Sequence, residues 1–212
     1  TYNNALDLYS DQQGYDISYS GSGQLTINQA PLTITANNDS KVYDKTAYNG
    51  GNGVIYNGFV NGEPSAVLGG SVSYGGNSQG AINAGNYKIT PSGLTAMNYD
   101  ITFKDGTLII NPAPLTITAN DYTKTYDGLG YTGGNGVTYS GFIPGDTSAV
   151  LGGTLVYSGD SQGPVNAGSY IIIPGGQTSD NYNISYVSGT LMINKAPLTI
   201  IANDYSRTYN GL

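Results

Sequence analysis

The stretch "APLTITAN" occupies residues 113–120, recurs unchanged at residues 30–37, and returns as "APLTIIAN" at residues 196–203. The step between copies is 83 residues each time. Leu115, Ile117 and Ala119 alternate with Thr116 and Thr118, the period-two pattern of a strand with one buried face. Working outward, residues 30–112 and 113–195 align without a gap, with about 48 of 83 positions identical. Residues 15–29 match the end of this unit, and residues 196–212 match its start. The expected organisation is therefore the C-terminal part of one repeat (1–29), two full repeats (30–112 and 113–195) and the opening of another (196–212), cut from a longer parent.

Within the second copy, further strand-like runs follow: "GVTYSGF" (136–142), "TLVYSG" (154–159), "GSYIIIP" (168–174), "NYNISYV" (181–187) and "GTLMINK" (189–195). "YVSGTL" (186–191) reads as a tight hairpin joining the last two. Residues 144–153 ("PGDTSAVLGG") and 61–70 ("NGEPSAVLGG") read as a short helical turn whose Val150 and Leu151 face the core. Short strands at this spacing predict an all-β fold of tandem, sandwich-like domains arranged as a rod. The alternative is a β-grasp-like sheet with one short helix per repeat. The core is expected at Leu115, Ile117, Val137 or Tyr139, Phe142, Leu151, Leu155, Tyr157, Tyr170, Ile172, Ile184, Tyr186, Leu191 and Ile193. That is a thin core for a unit of this size, so neighbouring repeats are expected to support one another. Pro112 and Pro114 bracket Ala113, and Pro197 follows Ala196, which predicts an extended junction without a flexible linker.

Composition excludes several functions. The chain has no Cys and no His, so a disulfide framework, a thiol nucleophile, an imidazole base and a Cys/His zinc site are all unavailable. Its net charge of -7 argues against a nucleic-acid partner, which needs clustered Lys or Arg. No apolar run reaches the ~18 residues that span a bilayer, so membrane insertion is not expected. The opening "TYNNALDLYS" lacks the charged and apolar regions of a signal peptide. "GLGYTG" (128–133) formally fits a dinucleotide-binding pattern, but its counterpart "KTAYNG" (45–50) loses two of the three glycines, so it reads as a turn. The acids shared by both copies are Asp44/Asp127 and Glu63/Asp146, too few and too turn-like to suggest a hydrolase. No catalytic, cofactor-binding or metal-ligating residue is assigned, and no cofactor is called for.

"KTYDG" (124–128) has counterparts "KVYDK" (41–45) and "RTYNG" (207–211). A Lys–Asn isopeptide crosslink would need lysine in every copy, and Arg207 breaks that pattern. The reading adopted is structural: Tyr126 packs inward, and Lys124 lies along the strand or pairs with an acid. Tyrosine is abundant, with 20 residues, and six positions repeat: Tyr43/Tyr126, Tyr48/Tyr131, Tyr56/Tyr139, Tyr74/Tyr157, Tyr87/Tyr170 and Tyr99/Tyr182. Most are expected in the core. Tyr122, Tyr131 and Tyr205 are the candidate glycan contacts, since tyrosine stacks on sugar faces and carries a hydroxyl.

The elements "TYDG" (125–128), "GFIPGDTSAV" (141–150), "NAGSY" (166–170) and "NYNISYVSGTL" (181–191) resemble the YDG/MBG-type repeat of large bacterial surface adhesins of the filamentous-haemagglutinin kind, exported by two-partner secretion. The resemblance spans both full repeats and both partial ones. The first copy departs from it at "VYDK" (42–45) and the last at "TYNG" (208–211). It implies a secreted, cell-surface stalk or adhesive array, as in biofilms. The partners expected are neighbouring repeats of the same chain and, in an alternative binding role read from exposed Tyr and Asn, a glycan or matrix exopolysaccharide.

Overall fold

The computed structural model describes residues 25–211; the expectations for residues 1–24 lie outside them. The chain is nearly all strand. Seven strands come from the first copy: β1 (Ala30–Ala36), β2 (Asp39–Val42), β3 (Val54–Asn57), β4 (Gly69–Gly75), β5 (Gly85–Thr95), β6 (Tyr99–Lys104) and β7 (Gly106–Asn111). Seven more follow from the second: β8 (Ala113–Ala119), β9 (Tyr122–Thr125), β10 (Val137–Ser140), β11 (Gly152–Ser158), β12 (Gly168–Thr178), β13 (Tyr182–Val187) and β14 (Gly189–Asn194). Each copy builds a three-stranded and a four-stranded sheet. The orders are β3-β1-β6 with β2-β7-β5-β4, and β10-β8-β13 with β11-β12-β14-β9. The strand of the opening motif is thus central in its sheet, antiparallel to one neighbour and parallel to the other.

By contacts, the described chain divides into two compact units. The first holds residues up to 40, 47–81 and 86–109, and the second holds 41–46, 82–85 and 110 onward. In the second unit, Ala119 of one sheet meets Ile172, Leu191 and Ile193 of the other, with Tyr131, Tyr157 and Tyr170 packed around them. In the first, Leu32, Ile34 and Tyr99 are enclosed by a ring that includes Val54, Tyr56, Phe59, Leu94 and Phe103. The inward residues alternate along β8 and β14, as the hydrophobic pattern requires. A polar anchor completes each fold. Gln162 accepts from the Gly133 N–H at 2.7 Å, donates to the Gly133 carbonyl at 3.0 Å and donates to the fully buried Ser161 at 2.8 Å. Gln79, Gly50 and Ser78 repeat this in the first copy. The repeated "SQG" at 78–80 and 161–163 is the sequence mark of this anchor.

Several expectations are corrected. The short helical turn expected in 144–153 is present, as a single 3-10 turn at Ser148–Val150, but its apolar pair does not fill the core. Val150 is 48% exposed rather than in the core, and Leu151 is half-buried, because one tight turn has no continuous face to bury. Tyr186 is exposed, its hydroxyl donating to the Gln177 carbonyl at 2.8 Å. "YVSGTL" is not a hairpin: β13 pairs with β8, whereas β14 pairs with β12 and β9, so the chain changes sheet at Ser188. Gly189 sits at that corner because a Cβ there would lie 2.5 Å from the Ala119 carbonyl oxygen. Tyr126 does not pack inward and is 44% exposed. Finally, "APLTIIAN" at 196–203 carries no strand. β8 is held by partners from its own copy, β10 and β13. By the 83-residue step, the equivalent partners of 196–203 fall beyond residue 212.

One glycine follows directly from the opening motif. Gly141 has φ +113°, and a Cβ there would lie 2.4 Å from the carbonyl oxygen of Pro114; Gly58 repeats this against Pro31. Glycine is therefore required where the chain turns closely past the start of the central strand.

Candidate functional site

A cluster of ionisable groups lies within the second unit, which holds residues 41–46 together with residues 142–182. Strand β2 leads into Tyr43, whose backbone N–H is fixed by the Asn111 carbonyl at 2.8 Å. The Tyr43 ring, 5% exposed, meets the Tyr182 ring edge-on at 5.5 Å, and Tyr182 in turn meets Phe142 edge-on at 5.3 Å. Such pairs bury apolar ring area and leave the hydroxyls to find partners. Both hydroxyls converge on Oδ2 of Asp146, from Tyr43 at 3.0 Å and from Tyr182 at 2.8 Å. The other oxygen, Oδ1, takes Lys45 Nζ at 2.7 Å, and the same ammonium reaches the Gly145 carbonyl at 3.0 Å. Lys45 has φ +64°, and this left-handed conformation directs the loop tip toward the acid.

Electrostatics follow from this geometry. Lys45 first, then the Tyr182 hydroxyl, hold the Asp146 carboxyl below the ordinary carboxylate range. Burial, followed by the adjoining Asp146, pushes Tyr43 up to about 12. Both oxygens of the carboxylate accept from the chain's own donors, Oδ2 from two phenols and Oδ1 from one ammonium. The arrangement is chemically a clasp. It keeps one carboxylate ionised and two phenols neutral, and it frees no base or nucleophile.

The loop lysines behave as the sequence suggests. Lys124 pairs with Asp127 at 2.8 Å and reaches the Leu129 carbonyl at 3.1 Å; Lys41 pairs with Asp44 at 2.7 Å. That pairing lowers Asp44 to about 2. Of the candidate glycan contacts, Tyr122 and Tyr131 come together, their rings stacked at 5.3 Å and 28°. Tyr122 is 37% exposed, whereas Tyr131 leans on the core. Tyr205 lies in the strandless 195–211 segment, 85% exposed, and no ring contact among the described residues joins it to the other two. In the first copy Asp39 stands at the position of Tyr122. It accepts from the Tyr48 hydroxyl at 2.9 Å, so one site is closed by stacking and the other by a hydrogen bond. Among the described residues no group of three or more acidic side chains is placed to hold a metal ion. No helix among them is long and apolar enough to cross a membrane.

The sequence had singled out Asp146 and Tyr43 only as repeated positions. The role of Lys45 was hidden because it appears as a departure from the repeat. The family model for the MBG domain (YGX type) matches the chain twice, over residues 32–109 and 115–192. The chain belongs to the MBG-domain family. Both MBG repeats carry the acid and the tyrosine of the clasp, as Glu63 with Tyr99 and as Asp146 with Tyr182. Among solved structures, the MBG chain is similar to a cell surface adhesin from Lactobacillus reuteri, at 26% identity over 40% of this chain and 99% of that one, with a TM-score of 0.26. No curated protein matches it in sequence.

Proposed function

We propose that the chain is a non-catalytic stalk segment of a large, secreted bacterial surface adhesin. Its domains, 30–112 and 113–195 with partial repeats at 1–29 and 196–212, would space an adhesive region from the cell. One observation carries this reading: two MBG repeats stand in tandem, 83 residues apart, in a chain without His or Cys. The buried Asp146 carboxylate accepts from the chain's own Lys45, Tyr43 and Tyr182, which supports a structural use of those groups. The acidic surface, with a net charge of -7, favours a dispersed, soluble array.

A second reading is favoured by the Tyr122–Tyr131 stack, whose exposed edge offers a platform for a sugar ring of a glycan or matrix exopolysaccharide. A spacer replacement separates the two. With the repeats deleted from a surface-displayed parent adhesin, attachment is expected to fall. Unrelated rigid domains of equal length are expected to restore it. Restoration by the native repeats alone, together with its loss in Tyr122→Ala, would overturn the stalk reading in favour of glycan binding.

A further inference from the structure

The acid half of the Asp146 clasp recurs on the first unit, and its tyrosine half recurs at Tyr126 on the second. On the first unit, Glu63 and Tyr99 reproduce the acid side. Tyr99 donates to Glu63, accepts from the Val60 N–H at 3.0 Å and meets Phe59 edge-on at 5.5 Å. Tyr182 does the same with Asp146, Ile143 and Phe142. Glu63 and Tyr99 also border an open cleft of about 550 Å³ that reaches Met97 and Asn98. Met97 is 92% exposed. On the second unit, Tyr126 reproduces the tyrosine side. Its N–H is held by the Asn194 carbonyl at 2.8 Å, as that of Tyr43 is by Asn111. The backbone therefore presents the two rings alike, yet Tyr126 is 44% exposed where Tyr43 is 5% exposed.

A second pair of contacts has the same asymmetry. Asn181 accepts from the Ala84 N–H at 2.8 Å and donates to Asn83 at 3.0 Å. The equivalent of Asn181 on the first unit, Asn98, lines the open cleft, and Ala167, the equivalent of Ala84, lines the surface beside Tyr126. We propose that the Tyr126 face and the Glu63–Tyr99 cleft are the two halves of one joint, and that each takes the opposite half of another MBG repeat, which a second copy of this chain supplies in solution. The occupant is identified by the filled example: Tyr43 on Asp146 and Tyr182 shows which ring, hydroxyl and backbone presentation the cleft fits. This deepens the tandem-array reading and rests on it, but it concerns recognition rather than length. The joint can fail while the spacer replacement succeeds.

The test uses two full-length variants that can form one joint only. An isotope-labelled Tyr126→Ala chain, with its cleft intact, is titrated with an unlabelled Glu63→Ala chain, whose Tyr126 face is intact. At physiological salt, saturable amide shifts are expected around residues 60–63 and 97–99 of the labelled chain, complete by about 1 mM, the range in which tethered neighbours meet. They are expected to weaken about tenfold or more when the added chain also carries Tyr126→Ala. Gly128→Lys in the added chain restores the lysine found at position 45, in a backbone already at φ +75°, and is expected to tighten binding a few-fold. Preserved amide dispersion in each variant establishes that it is folded. Absence of shifts at about 1 mM, or shifts of equal size with the doubly altered chain, would overturn the proposal.

Discussion

Replacing Ile172 by alanine is expected to destabilise the second unit by about 3 kcal/mol. Ile172 is fully buried at the centre of β12, opposite Gly189 of β14, and it belongs to the cluster that joins the two sheets. Gly189 supplies no side chain to collapse into the space, so most of the cavity is expected to persist. A unit of this size has a total stability of about 4–12 kcal/mol, so the loss is a large share of it. The corresponding fall in melting temperature is roughly 12–24 °C, read by calorimetry on the transition of the second unit. Ile172→Val, which removes one methyl group, is expected to cost only about 1 kcal/mol. A change below about 1 kcal/mol for alanine would show that the inter-sheet cluster is not what holds the unit.

The second large effect belongs to Asp146. Its carboxylate accepts from Tyr43, Tyr182 and Lys45, and its side chain is 3% exposed. Asp146→Ala leaves two phenols and an ammonium without their acceptor, and a loss of about 3 kcal/mol is expected. Asp146→Asn keeps an acceptor and loses the charge, so it is expected to fall between. The pH profile gives a signature that simple misfolding would not. The folded carboxyl is held below its unfolded value, so its contribution is present above pH about 4 and is lost as pH falls through the folded value. Tyr43 is shifted the other way, to about 12, so its contribution is present below pH about 10 and is lost as pH rises toward 12. In Asp146→Ala the acid limb is expected to flatten. The alkaline limb is expected to shrink without vanishing, since burial alone still disfavours the tyrosinate. Denaturant titrations across pH measure both limbs. An unchanged acid limb would place the acid sensitivity elsewhere.

What could be read from the sequence, and what could not, divides on physical grounds. Leu115, Ile117 and Ala119 declare their strand because alternation is a local property, and the fixed 83-residue step declares the repeat. Partner choice is not local. β13 and β14 are separated by Ser188 alone and carry a hairpin-like turn, yet they enter different sheets, because β13 is paired in parallel with a strand nearly seventy residues earlier. Burial that depends on a distant segment was equally hidden. Tyr43 and Tyr126 share their residue type and the backbone bond that holds them, but Asp146 and Tyr182 stand against Tyr43 and bury it, whereas Tyr126 is exposed. Lys45 was misread for a related reason. It stands in the sequence as a departure from the repeat, whereas its ammonium closes the clasp. The stack of Tyr122 on Tyr131 was unreadable too, because in the first copy Asp39 and Tyr48 solve the same position with a hydrogen bond.

The stalk reading makes length the quantity to measure. Small-angle scattering should be recorded on this chain and on a version lengthened in register by two further 83-residue repeats. The expected result is a maximum dimension that grows by a constant increment per repeat, with a cross-section that does not change. A dimension growing only as roughly the cube root of mass, the behaviour of a compact globule, would contradict the stalk.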